Sequence, residues 1–289
     1  MSEATSVTGR LLHPGPANPI RRQVVRTSLA PVSGRLEPGE TVIEGVTRVV
    51  SGAGCRGGVL FFEDGACDPF RYVLPALSRD PDHAAWYSET LGPHAGARFV
   101  NATATIGERN GAPFLHCHGL WDVGEGALRM GHLLPYDSLV SKPVPVRGYG
   151  SLSASFVSSL DAETNFALFS AEGRAGDGGD HVFVRLRPEE DVCTAAEEIC
   201  AGLGIERARI YGLGSICAPV FSGGRMVNCS ATEVVIQDGL LERGSLGVKA
   251  IIDTALVDMD GTVHYGRLRK GDNPVAVTFE LVIVNLDGR

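Results

Sequence analysis

Three of the chain's eight histidines fall within residues 115–133, LHCHGLWDVGEGALRMGHL. His116 and His118 stand two apart, and His132 follows fourteen residues after His118. Neutral imidazole is a ligand for transition metals. On a strand, side chains alternate between faces, so His116 and His118 point the same way. Gly119, Gly124 and Gly126 allow a turn that brings His132 back on a neighbouring strand. Three imidazoles meeting on one sheet face make a site for zinc or another divalent transition metal, with a fourth position for water or substrate. The plainer reading is a half-buried hairpin whose histidines are simply satisfied polar groups. Asp122 and Glu125 are the nearest carboxylates in sequence. They are candidates to hold the free ring nitrogens or to act as general base, against the plainer reading of exposed turn residues. Cys117 lies between the two histidines and should face the core. Arg129 differs from His132 in strand parity, so it would meet a substrate carboxylate only across an interface.

The elements that must position these residues are legible in part. Residues 1–32, rich in Pro, Gly, Ser and Thr, read as an extended arm. In EPGETVIEGVTRVVSGAG, Val42, Val46, Val49 and Val50 follow helical spacing, Pro38 suits a first turn, and Gly52 or Gly54 suits the stop. A strand is expected at 58–62, a short helix at 82–91, and a strand at 97–108. Asn110 and Gly111 mark a hairpin turn, after which 113–118 returns. Residues 151–174 have the Ser- and Gly-rich composition of a linker, which leads into the acidic run RAGDGGD. The GLGS at 212–215 reads as a tight turn, with strands at 233–236 and 250–257.

The second half repeats the first. RLRPEEDVCTAAEEICAGLGI has the design of GRLEPGETVIEGVTRVVSGAG: a Pro-acidic start, apolar Val192, Ala196, Ile199 and Leu203, then a glycine stop. Pairing Val42 with Val192 gives an offset of 150, whereas pairing Gly126 with Gly261 and Gly131 with Gly266 gives 135. Residues 70–90, which the second copy lacks, absorb the difference. At the offset of 135, His116, His118 and His132 fall opposite Ile251, Asp253 and Arg267. The glycine frame is kept and the imidazoles are lost, which separates the histidines from the demands of folding and favours a metal. His264 and Asp253 could form a polar site of their own, a structural role being the plainer reading. His83 and His94 sit in turn-like surroundings at the surface.

With these residues in view, LHCHGLWDVGEGALRMGHL resembles the LHxHxx…dGxxxGGHL signature of the PPC (plants and prokaryotes conserved) domain. The second copy resembles it through RLRPEEDV, its helix, GLGS and DGTVHYGRL. The resemblance implies an α+β fold of two PPC-like domains, at 33–150 and 175–289, each a mostly antiparallel sheet packed with one or two helices. It implies zinc on the three motif histidines, which match His116, His118 and His132, and it favours a homo-oligomer, commonly a trimer. Many members carry a DNA-binding label because plant relatives have an AT-hook beside the domain. No RGRP-like AT-hook occurs in this chain, and Met130 replaces the first glycine of the usual GGH. A cupin also uses an HxH pair on a sheet, but its glutamate normally follows sooner and it lacks the helix-led repeat.

Net charge is −8, with 14 basic and 14 acidic residues in 1–150 and 12 basic and 20 acidic in 151–289. Nucleic-acid binding draws on phosphate neutralisation, and neither half offers a general basic surface. No apolar run approaches the ~20 residues of a membrane span. Seven scattered cysteines without a CxxC read as reduced thiols, so the chain is expected in the cytoplasm. The residues leave two readings: a metal-dependent enzyme of hydrolase or lyase type on a small anionic or carbonyl-bearing ligand, or a module that binds metal or ligand without catalysis. DNA binding is disfavoured by the charge. In a gel-shift series against salt, no complex is expected near physiological ionic strength; a shift there that weakens with added salt would restore the DNA reading.

Overall fold

Each copy builds its sheet around one helix. The computed structural model describes residues 10–174, 178–245 and 247–287. Helix α1 spans Val42–Gly52 and starts at Thr41, whose side chain forms a reciprocal capping box with Glu44. Pro38 therefore lies in the turn before the helix, not in its first turn. Helix α2 spans Val192–Leu203, capped by Asp191 and ended by Gly204 in the left-handed conformation. Before and after α1 run β1 (Arg22–Thr27), β2 (Ala30–Leu36) and β3 (Gly57–Phe62). The short strands β4 (Ala66–Cys67), β5 (Tyr72–Val73), β6 (Pro75–Leu77) and β7 (Ala85–Tyr87) follow. Then come β8 (Ala97–Arg109), β9 (Ala112–Asp122), β10 (Leu128–Leu133), β11 (Val140–Lys142) and β12 (Val144–Ser151). After these, β13 (Ala154–Leu160) and β14 (Ala167–Gly173) lead to the second copy. That copy holds β15 (His181–Leu186), α2, β16 (Ala208–Ile216), β17 (Thr232–Gly244), β18 (Gly247–Val257), β19 (Val263–Arg267) and β20 (Val275–Asn285).

The repeat is explicit in the topology. One sheet runs β2-β12-β3-β8-β9-β10 and the other β15-β20-β16-β17-β18-β19, the same order of equivalent strands. In register, His132 lies opposite His118 across β9 and β10, and Arg267 lies opposite Asp253 across β18 and β19. The inserted β5, β6 and β7 have no counterpart strands between β16 and β17 among the described residues.

Alternation along the strands gives each sheet two apolar faces, and the molecule stacks as helix, sheet, sheet, helix. Val46, Val49 and Val50 of α1 pack on Leu60, Phe62, Cys117 and Trp121. Val192, Ala196 and Ile199 of α2 pack on Val184, Ile210, Val234 and Ile252. The opposite faces meet in the middle, through Val59, Phe156, Phe183 and Val282 at one end and Leu120, Met130, Val235 and Val257 at the other. Charged groups caught in this layer find partners. Arg185 and Arg187 both bond Asp161, and these two guanidiniums overcome the upward push of burial to hold its carboxyl down at about 2.

Several expectations are corrected. Residues 151–174 are not a linker: β13 and β14 pair antiparallel, and β13 joins β8 in parallel. Serine-rich composition masks the alternation of Ala154, Phe156, Phe169 and Ala171 into the core. The arm is ordered where β1 pairs with β15 of the second sheet. Residues 1–9 of that arm and 175–177 of the acidic run lie outside the described residues. No helix forms at 82–91; the aromatic run Ala85–Tyr87 is extended and pairs with β6. GLGS is not a turn but the middle of β16, where a Cβ on Gly212 or Gly214 would lie 2.2 or 2.4 Å from a carbonyl oxygen of β20. No helix is long and apolar enough to cross a membrane.

Phe156 and Phe183, one from each side of the central layer, stack with centroids 4.9 Å apart. Phe183→Ala is expected to cost about 3–5 kcal/mol. Urea unfolding followed by fluorescence and circular dichroism should shift as one transition; two separated transitions would mean that the copies fold independently.

Candidate metal centre

Strand β9 alternates Leu115, Cys117 and Trp121 into the α1 core with His116 and His118 onto the central face. The hairpin into β10 returns His132 directly opposite His118. The three rings converge, with centroid separations of 4.5, 4.9 and 5.3 Å. The second sheet supplies the remaining partners. His118 Nδ1 donates to the Val234 carbonyl at 3.0 Å, and His116 Nδ1 bonds the Glu280 carboxylate. Those contacts turn both Nε2 atoms towards each other, 3.0 Å apart. Two facing lone pairs at that distance need a proton or a metal cation between them. Glu233 Oε2 lies 2.7 Å from His118 Nε2. Among the described residues, His132 Nδ1 is buried without a hydrogen-bond partner.

One donor atom from each of His116, His118, His132 and Glu233 lies within 4.8 Å of all the others, so the four could hold a metal ion. Zinc–nitrogen bonds of about 2.0–2.1 Å in a tetrahedron put neighbouring donors roughly 3.3 Å apart, against 3.0 Å for His116 and His118 and 2.7 Å for His118 and Glu233. The residues fit a transition metal on three counts: donor type, spacing and an orphaned buried nitrogen. The surroundings push two of the rings in opposite directions. Burial alone would lower His118, but the Glu233 carboxylate and the Val234 carbonyl overcome it and hold it above its ordinary range. His132 is pushed well below that range, first by burial and then by the neighbouring His116 and His118.

A cleft of about 280 Å³ opens on His116, His132 and Glu280, walled by Tyr87, Phe114 and Phe169 among others. Tyr87 comes from the inserted β6–β7 hairpin, and its ring centre lies 5.2 Å from that of His132. The insertion that shifts the repeat register thus also shapes the approach to the histidines.

Asp122 and Glu125 do not join the centre. Asp122 is four residues along β9 from His118, about 13 Å away. It accepts from Gly124 N at 2.8 Å and pairs with Arg98 at 3.3 Å. Glu125 is an exposed partner of Arg129 at 2.7 Å. Cys117 is buried in the α1 core, and burial pushes its thiol up. His83 bonds Asp80, and His94 is exposed. In the second copy, Asp253 is taken by Arg267 and His264 by Asp258, so they form no joint site. Glu233 and Glu280 escaped the sequence reading. Their signal was acid in otherwise apolar strands, TEVVIQ and VTFELVIV, where an unpaired carboxylate is not tolerated.

Metal binding requires His118 to lose the proton that Glu233 helps it keep, so affinity should fall as pH drops through the histidine range. In metal-free protein, Glu233→Gln should lower the His118 pKa, measured by titrating its ring nitrogens in NMR. An unchanged value would remove Glu233 from the centre.

No family model matches the chain, and no curated protein matches it. Among solved structures, it is similar to a plant- and prokaryote-conserved (PPC) protein from Pyrococcus horikoshii, at 14% identity and a TM-score of 0.40, over 50% of this chain and 93% of that one. A metal-containing protein from Archaeoglobus fulgidus matches at 15% identity and a TM-score of 0.38, over 49% of this chain and 93% of that one. A hypothetical protein from Salmonella enterica matches at 14% identity and a TM-score of 0.38, over 52% and 98%. In each case about half of this chain is similar to nearly the whole of the other.

Proposed function

We propose that the chain holds one zinc ion on His116, His118 and His132 and works as a metal-dependent enzyme of hydrolase or lyase type on a small anionic or carbonyl-bearing metabolite. The observation that carries this reading is the meeting of four donor groups from both copies beside an open cleft. Zinc held this way lowers the pKa of a bound water to about 7 or polarises a carbonyl oxygen. The protein's own groups divide the remaining work. Glu280 fixes the ring of His116, and the Val234 carbonyl fixes that of His118, so each presents Nε2. Glu233 touches His118 and is held by no arginine or lysine among the described residues. In this reading it takes a proton and returns it, the role that sequence proximity assigns to Asp122 and Glu125. Tyr87, Phe114 and Phe169 limit water around the reacting group.

Purified protein incubated with zinc and desalted should retain about one equivalent per chain by plasma mass spectrometry. His118→Ala should lose it with circular dichroism unchanged. Across a panel of small esters and oxo acids, the loaded protein should exceed His118→Ala by on the order of a hundredfold or more. Retention of zinc without any such difference would favour a binding module, and no retention would reject the centre.

A further inference from the structure

We propose that Arg109 anchors the acid group of the ligand, which makes the substrate class a small carboxylate whose second oxygen group extends towards the histidines. Only that second contact rests on the reading of the metal centre above. Arg109 ends β8, four residues beyond Thr105, which pairs with His116. It shares the parity of Thr105, so it lies on the same central face. Its guanidinium lies over the Phe114 ring, 3.7 Å from the centroid, and its Nε donates to Ser158 Oγ at 3.1 Å. These two contacts fix the plane of the group, and among the described residues no hydrogen bond commits either terminal nitrogen. Among the described residues, no carboxylate pairs with it. The other arginines of the central layer are spent: Arg185 and Arg187 are held by Asp161.

An oriented guanidinium with two free terminal nitrogens is a bidentate receiver for a planar acid. Arg109 lines the same cleft as His116 and His132. The charge there selects among anions. Glu280 and Asp137 line the cleft too and repel any anion, a dianionic phosphate about twice as strongly as a monocarboxylate. Size selects as well: about 280 Å³ lies near the bottom of the range for small-molecule sites, and the walls between the charged ends are largely apolar. A short acid with a few methylenes and a distal carbonyl fits this description.

Calorimetric titration of the full chain with levulinate, levulinamide and inorganic phosphate tests the assignment. Levulinate should bind zinc-loaded protein at least tenfold more tightly than levulinamide, which has nearly the same shape without the charge. Arg109→Gln should weaken levulinate at least tenfold while zinc content stays the same. Equal binding of acid and amide, an unchanged affinity in the variant, or no levulinate binding by the wild type would each overturn the proposal. Phosphate binding that depends on Arg109 and exceeds levulinate would overturn the ligand class. The acid–amide comparison uses wild-type protein alone, so it stands even if the variant folds poorly. Should the chain take up no zinc, the reading of the centre fails, and the same titrations on metal-free protein still decide the role of Arg109.

Discussion

A buried carboxylate has to be met by hydrogen-bond donors or positive charge, and Glu280 is buried between the two sheets at the floor of the cleft. The other acids of the central layer, and its largest polar pairs, follow the same demand. Glu280 is met by His116 and by Thr278 Oγ1 at 3.1 Å. Asp161 is met by two arginines, and Asn101 of one copy donates to Gln237 of the other at 2.8 Å. The histidines therefore do more than wait for an ion. They are the groups through which one sheet tolerates the acids of the other, so the interface and the centre are one construction.

How far the sequence could be read follows from where each signal resides. The helices were legible because valine and alanine spacing and a glycine near the end are local, although Pro38 drew attention away from the capping Thr41. The convergence of His116, His118 and His132 was legible because strand parity and one hairpin decide it. Glu233 and Glu280 were hidden because they arrive from the other copy, 101 and 148 residues beyond His132, and no local pattern announces a partner across a layer. Asp122 misled for the converse reason. It is near in sequence, yet four residues of extended chain carry it to the hairpin tip and to Arg98. The serine-rich 151–174 misled because average composition conceals alternation.

The two copies show how one frame can be put to different uses. At the register position where the first copy sets His118 against His132, the second sets Asp253 against Arg267, bonded at 3.0 and 2.8 Å. A cross-strand ion pair that is partly exposed contributes little to stability but satisfies both side chains without help from another sheet. The imidazole pair, by contrast, depends on the facing sheet to orient it. One copy presents ligands and the other presents the acids and the carbonyl that align them.

Strand β1 gives this division a covalent consequence. It precedes the first copy in the chain yet pairs along its whole length with β15, at the edge of the second sheet. The copies are therefore interleaved and not merely joined end to end. A cut at their boundary would not release two intact modules: the leading fragment would carry away an edge strand that belongs to the trailing one, leaving the second sheet with an unpaired edge. Duplication supplied two equivalent frames, and this overlap commits them to a single inheritable unit.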